Sequence, residues 1–159
     1  MKIIEYERKY KEDVKGLLEE LQMYIANIDR EGYNVVTQEY RDKYYDKTLE
    51  EVKHYEGKIF LAIDEEEVKG LIVGIINNEK METYDFKAPK RGRITELVVR
   101  KGARGQGIGK RLIEKMEEYF KSVGCKAVLM GVFAYNDKAY KLYKGLGYFN
   151  RTIDMMKNI

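Results

Sequence analysis

Residues 97–111 read LVVRKGARGQGIGKR, an apolar strand that runs through a basic, glycine-punctuated turn into an amphipathic helix. Arg104, Gly105, Gln106, Gly107, Ile108 and Gly109 form the turn, and Lys110 and Arg111 follow it. The first N–H groups of a helix have no partner within it and sit at the positive pole of the helix dipole, so such a turn is an anion site. Arg100, Lys101, Arg104, Lys110 and Arg111 add charge of the same sign. The stretch reads as a phosphate cradle between a strand and a helix, the junction from which α/β domains are built.

Spacing decides which cradle it is. Aligned on Gly109-Lys110, the P-loop template puts Arg104 where its first glycine belongs and Arg111 where its hydroxyl belongs. The dinucleotide fingerprint started at Gly105 accepts Gly107 but meets Lys110 in place of its third glycine. What remains is Arg-x-x-Gly-x-Gly, met by Arg104, Gly107 and Gly109. Downstream lies a second motif, Asn-x-x-Ala-x-x-Leu-Tyr followed by Gly-Tyr, at Asn136, Ala139, Leu142, Tyr143, Gly147 and Tyr148. Asn136 and Tyr143 are about two helical turns apart and share one helix face.

The two motifs, in this order, resemble those of the GNAT superfamily of coenzyme A-dependent N-acyltransferases, over roughly residues 58–157. One departure is Lys101, where that family often has Pro; Pro there only stiffens the turn. The resemblance implies one domain spanning residues 1–159, of the α/β GNAT fold. Its central mixed, mostly antiparallel sheet has splayed parallel strands and helices on both faces. It further implies acetyl-coenzyme A as co-substrate, held by Leu97, Val98 and Val99 of the strand, by Arg104, Gly105, Gln106, Gly107, Ile108, Gly109 and Lys110, and by Asn136 and Tyr143.

Tyr143 suits a general acid, because a phenol with a pKa of ~10 can protonate a departing thiolate. Glu96 stands where many members carry a carboxylate and is the candidate base. An ordinary Glu pKa of ~4.3 is low for that work, so burial or a relay is required. The reaction implied is direct attack of a primary amine on the thioester. A non-catalytic coenzyme A sensor or interaction module on the same fold is the alternative; an intact Tyr143 argues against it.

The rest of the chain agrees with a soluble enzyme. Its 159 residues, 44% hydrophobic and 36% charged, suffice for one buried core. A net charge of +3 is too small to point to nucleic acid. One Cys and no secretory pattern point to the cytoplasm, and no apolar run reaches the ~20 residues a membrane span needs. Dimers are common in the family; partners beyond a small-molecule or peptide amine are not implied.

Periodicity predicts a strand at Lys2–Tyr6 and a helix through Val14, Leu17, Leu18, Leu21, Ile25 and Ile28. Thr37 can cap a short helix to Tyr44, and Thr48 with Glu51 has capping-box spacing for another. A hairpin, Ile59–Ile63 and Val68–Asn77, precedes a charged loop with Lys87, Lys90, Arg91 and Arg93, and then the strand Ile94–Val99. A helix from Gly107 to Val123, a buried strand Ala127–Phe133, a helix Asn136–Leu146 and strand material at Tyr148–Met156 complete the order. Cys125 has no His near it in sequence and reads as a structural thiol; His54 reads as a surface residue, and neither supports a metal site. Tyr24, Tyr33, Tyr40, Tyr44 and Tyr45, with Glu20, Asp29 and Glu31, fall where the family builds its acceptor pocket, and a solvated helix face explains them equally well.

Overall fold

Two cores, one on each face of a single sheet, follow from the alternation of side chains along a strand. In the computed structural model, which describes residues 1–77 and 88–159, Lys58–Asp64 forms β2. Its Ile59, Leu61 and Ile63 pack with Val14, Leu17, Leu18 and Tyr45, whereas Phe60 and Ala62 pack with Leu112, Ile113, Met116 and Phe120. The first group belongs to helices α1 (Lys11–Ile28) and α2 (Tyr40–His54), the second to α3 (Ile108–Ser122). A strand covered on both faces must be apolar at every position, and residues 59–63 are.

The sheet order is β1 (Lys2–Glu5), β2, β3 (Glu67–Asn77), β4 (Arg91–Val99) and β5 (Ala127–Met130). The first four strands run antiparallel and β5 runs parallel to β4, with helices on both faces as expected. Two irregularities shape the site. Val73 is registered on Glu96 and Gly74 on Ile94, so Thr95 is an extra residue that breaks the alternation. Ile94 consequently joins the α3 core, while Glu96 stands on the same face as Val73 and Val98, toward α1 and α2. The parallel pairing then ends at Ile94 and Met130, although β4 continues to Val99. The two strands part there, and among the described residues no strand pairs with that edge of β4 beyond Ile94.

Helix α3 buries Ile108, Leu112, Ile113, Met116 and Phe120, positions that recur at helical spacing. Each such side chain contributes roughly 1.5–3 kcal/mol of burial. Phe120 lies so close to β4 that a Cβ at Gly92 would stand 2.4 Å from its ring, so only glycine fits there. The helix ends in a Schellman turn: the Cys125 N–H donates to Phe120 O, the Gly124 N–H to Lys121 O, and Gly124 has φ +85°. Helix α4 (Asp137–Gly145) ends the same way, with the Tyr148 N–H donating to Tyr143 O and Gly147 at φ +90°.

Four sequence expectations change. The two short helices expected around Thr37 and Thr48 are one helix, α2; the Thr48 hydroxyl donates to Tyr44 O, 2.8 Å away and four residues back, instead of capping a new start. Strand β4 begins at Arg91, so Arg91 and Arg93 belong to the sheet rather than to a charged loop, and Arg91 is buried. Lys87 lies outside the described residues. The strand expected over Ala127–Phe133 stops at Met130 and is only half-buried; among the described residues β4 is its single flanking strand. Residues 148–156 form no strand: after Tyr148, whose hydroxyl donates to Glu117 at 2.7 Å, Phe149, Ile153, Met155 and Met156 are exposed and no ladder partner reaches them. The outer edge of β5 is the place such a strand would pair, and residues 149–156 do not pair there. No helix among the described residues is long and apolar enough to cross a membrane.

Candidate active site

The parting of β4 and β5 opens a cavity of about 520 Å³. Its walls bring together the expected coenzyme-binding and catalytic residues except Gln106: Glu96, Leu97, Val98 and Val99 from β4, Arg104, Gly105, Gly107, Ile108, Gly109 and Lys110 from the turn and α3, and Asn136 and Tyr143 from α4. Of the residues expected around the acceptor, only Tyr24 lines it. Gln106 is exposed and is not part of the lining. Leu21, Tyr24 and Ile25 of α1, Met130 at the end of β5 and residues 131–133 beyond it also line the wall. Apart from Tyr24, no motif in the sequence marks these, because they arrive from other elements.

At one end, Gly105 and Gly107 have φ of +81° and +75°, a left-handed backbone that side chains disfavour, and a Cβ on either would point into open space. Gly107 is the N-cap of α3 and no side chain caps it. The first intrahelical bond is the Arg111 N–H to Gly107 O, which leaves the N–H groups of Ile108, Gly109 and Lys110 without a helical acceptor. Gly109 lies close under α4, where a Cβ would meet Leu142 at 3.4 Å. These donors and the basic side chains around them suit a pyrophosphate.

Arg104 is built into the wall. Its Nε donates to Val99 O at 2.8 Å, its terminal amine reaches Glu20 Oε1 at 3.1 Å, and its guanidinium lies 5.4 Å from the Tyr24 ring centroid. Glu20 also accepts from the Lys101 N–H at 2.9 Å. Glu20, expected beside the acceptor, therefore ties α1 to the glycine turn.

The open edge of β4 supplies backbone groups. The Arg100 N–H donates to Lys69 O on β3, so by alternation Val98 and Glu96 direct their backbone toward β3 and Leu97 and Val99 toward the open edge. Val99 O is taken by Arg104; among the described residues the Leu97 N–H and C=O and the Val99 N–H, at this edge, have no strand opposite and suit a ligand of amide character.

Asn136 caps α4, its Oδ1 accepting from the Ala139 N–H at 3.3 Å, and also accepts from the Tyr24 hydroxyl at 3.2 Å. Its amide NH₂ remains for a ligand. Tyr143 is half-buried in the same wall; burial pushes its phenol above the ordinary value, so it holds its proton at neutral pH. Glu96 is half-buried too. Burial, and less strongly Glu51, push its carboxyl up to about 7, against the opposing pull of a hydrogen bond from the Tyr44 hydroxyl and of Lys47. A carboxyl poised there can accept a proton near neutrality, the property the sequence left open. Cys125 is buried and free, and among the described residues no group of three or more His, Cys, Asp or Glu could hold a metal.

The profile of the acetyltransferase (GNAT) family matches residues 23–148. A glucosamine 6-phosphate N-acetyltransferase of Arabidopsis thaliana is 29% identical over 126 residues, 79% of this chain and 83% of that protein. Among solved structures, the BH1408 protein of Bacillus halodurans superposes with a TM-score of 0.89 at 21% identity, covering 100% of this chain and 99% of that one. An aminoglycoside N-acetyltransferase in complex with CoA gives a TM-score of 0.75 at 16% identity, over 99% and 95% of the two chains. At those identities the two structures show the shared fold alone.

Proposed function

Because the chain belongs to the GNAT acetyltransferase family, we propose that it moves an acetyl group from acetyl-coenzyme A to a primary amine, with Glu96 as base and Tyr143 as acid. The observation that carries this is one cavity lined by the glycine turn, the open edge of β4, Glu96 and Tyr143 together. A relative with the same fold was solved in complex with CoA, and another is named for acetylating an amino sugar phosphate. A single free thiol, Cys125, fits a reducing cytoplasmic setting.

Acetyl-coenzyme A, when bound, supplies an acyl thioester open to attack by an amine. The free N–H groups of Ile108, Gly109 and Lys110 receive the pyrophosphate, and Gly105 and Gly107 keep side chains out of its way. The Leu97–Val99 edge and the Asn136 amide hold the pantetheine amides. Glu96 takes a proton from the acceptor ammonium, which frees the nitrogen lone pair for attack. A backbone N–H of the β4 edge stabilises the negative charge that grows on the carbonyl oxygen. The nitrogen bonds to the carbonyl carbon, the carbon–sulfur bond breaks with its electron pair on sulfur, and the Tyr143 hydroxyl gives its proton to that sulfur. The nitrogen's second proton and the one held by Glu96 pass to solvent, from which Tyr143 regains one. The products are an amide and a free thiol.

The test is thiol release from acetyl-coenzyme A across a panel of amino sugars, amino sugar phosphates, polyamines, lysine-like amines and peptide N-termini, with acetylated products identified by mass spectrometry. Turnover with at least one amine is expected. Tight coenzyme binding with no product across the panel would instead favour a coenzyme A sensor on this fold.

A further inference from the structure

Glu96 lines the cavity, but the group that holds it does not. Tyr44 of α2 is half-buried behind the carboxylate and outside the cavity wall, and its hydroxyl donates to Glu96 Oε1. The Tyr44 ring is itself fixed. Tyr40, one turn earlier, stacks on it with ring centroids 4.8 Å apart and planes at 14°, and the Lys47 ammonium lies 5.4 Å from its centroid. Burial and the nearby Glu96 charge push the Tyr44 phenol well above its ordinary value, so it remains a donor throughout the neutral range. Among the described residues, Glu96 Oε2 takes no hydrogen bond.

We propose that Tyr44 is the positioning residue for the catalytic base: it locks Oε1 of Glu96 and leaves Oε2 to take the acceptor's proton. The inference rests on the reading of Glu96 as that base. A carboxylate pinned through one oxygen keeps a single orientation, and a base must stand within hydrogen-bond reach of the proton it removes. The same bond favours the charged carboxylate, offsetting part of the burial that favours the neutral acid. The charged groups acting on Glu96 come from α2, where Glu51 raises its midpoint and Lys47 lowers it; β3 presents the apolar Val73 opposite.

Tyr44→Phe removes the hydroxyl and keeps the ring in its stack. The experiment is a pH titration of side-chain carboxyl carbons by NMR on ¹³C-glutamate-labelled protein, with the Glu96 signal assigned by its loss in Glu96→Gln. The wild-type midpoint is expected near 7. In Tyr44→Phe it rises by about one pH unit, as loss of a hydrogen bond to a charged group implies. Glu51→Gln, which removes a repelling charge, moves it downward. An unmoved midpoint in folded Tyr44→Phe overturns the proposal, whatever the enzyme's substrate.

Turnover supplies the second reading. With the amine identified by thiol release, the acidic limb of kcat/KM in Tyr44→Phe moves up together with the NMR midpoint. If the carboxyl midpoint rises and the acidic limb stays where it was, Tyr44 holds Glu96 but Glu96 is not the base, and the catalytic role fails with it.

Discussion

Glu96 and Tyr143 face one cavity from different elements, and burial raises both: Tyr143 keeps the proton an acid must give, while Glu96 is brought to about 7, where it takes up and releases a proton near neutrality. For Tyr143 the consequence is direct. Tyr143→Phe removes a proton donor without removing the ring that packs near Tyr148, so kcat is expected to fall about 10²-fold or more while the acetyl-coenzyme A Kd stays within about twofold. Stopped-flow or steady-state thiol release with calorimetric binding checks this; undiminished turnover would remove the assigned role. Glu96 carries a second, thermodynamic signature. Its folded-state pKa of about 7 exceeds the ordinary 4.5, so the folded protein binds this proton more tightly than the unfolded chain. The resulting stabilisation is full below about pH 4.5 and is lost as pH rises through about 7. Glu96→Gln is therefore expected to lose less stability between pH 5 and pH 8 than the wild type, by on the order of 1–3 kcal/mol. Urea unfolding at the two pH values measures it, and parallel losses in the two proteins would contradict the shift.

The elements proposed to hold the coenzyme are the start of α3 and the edge of β4, and both offer backbone rather than side chains. Gly107 caps α3 in a left-handed conformation with its neighbours' N–H groups unpaired. Gly107→Asp places a carboxylate where these donors converge, and the expected result is at least a tenfold loss of acetyl-coenzyme A affinity by calorimetry. Affinity equal to wild type would show that the anion binds elsewhere. The strand edge exists because the parallel pairing stops at Ile94 and Met130, and Glu96 reaches the α2 side because Thr95 is an extra residue in β4. The glycine pattern and the caps at Asn136, Gly124 and Gly147 were legible in sequence, since each depends on neighbours within a few residues. The bulge was not: a register shift is defined only against the strand opposite.

At the scale of the whole molecule, the cavity is closed by α1, which bridges its two ends. Glu20 binds Arg104 and the Lys101 N–H at the glycine turn, and the Tyr24 hydroxyl binds Asn136 Oδ1 at the start of α4. Tyr24→Phe cuts the second bridge without disturbing a core. About two- to tenfold weaker acetyl-coenzyme A binding is expected, with an almost unchanged Tm, because one neutral hydrogen bond is lost at the wall of the site. Calorimetry and a thermal melt separate the two effects, and unaltered affinity would show that the bridge does not order the site.

The sequence by itself determined most of the order of strands and helices, the glycine turn that opens α3 and the placement of Asn136 and Tyr143 on one helix face. All of these rest on periodicity and spacing, which are local properties of the chain. Only the tertiary structure decided that Arg104 braces α1, that Tyr44 grips Glu96, and that the last expected strand does not form. The reason is the same in each case. Burial, hydrogen-bond partnership and ladder pairing depend on which distant segments meet, and residues 20 and 104, or 44 and 96, meet only when helices and sheet are packed.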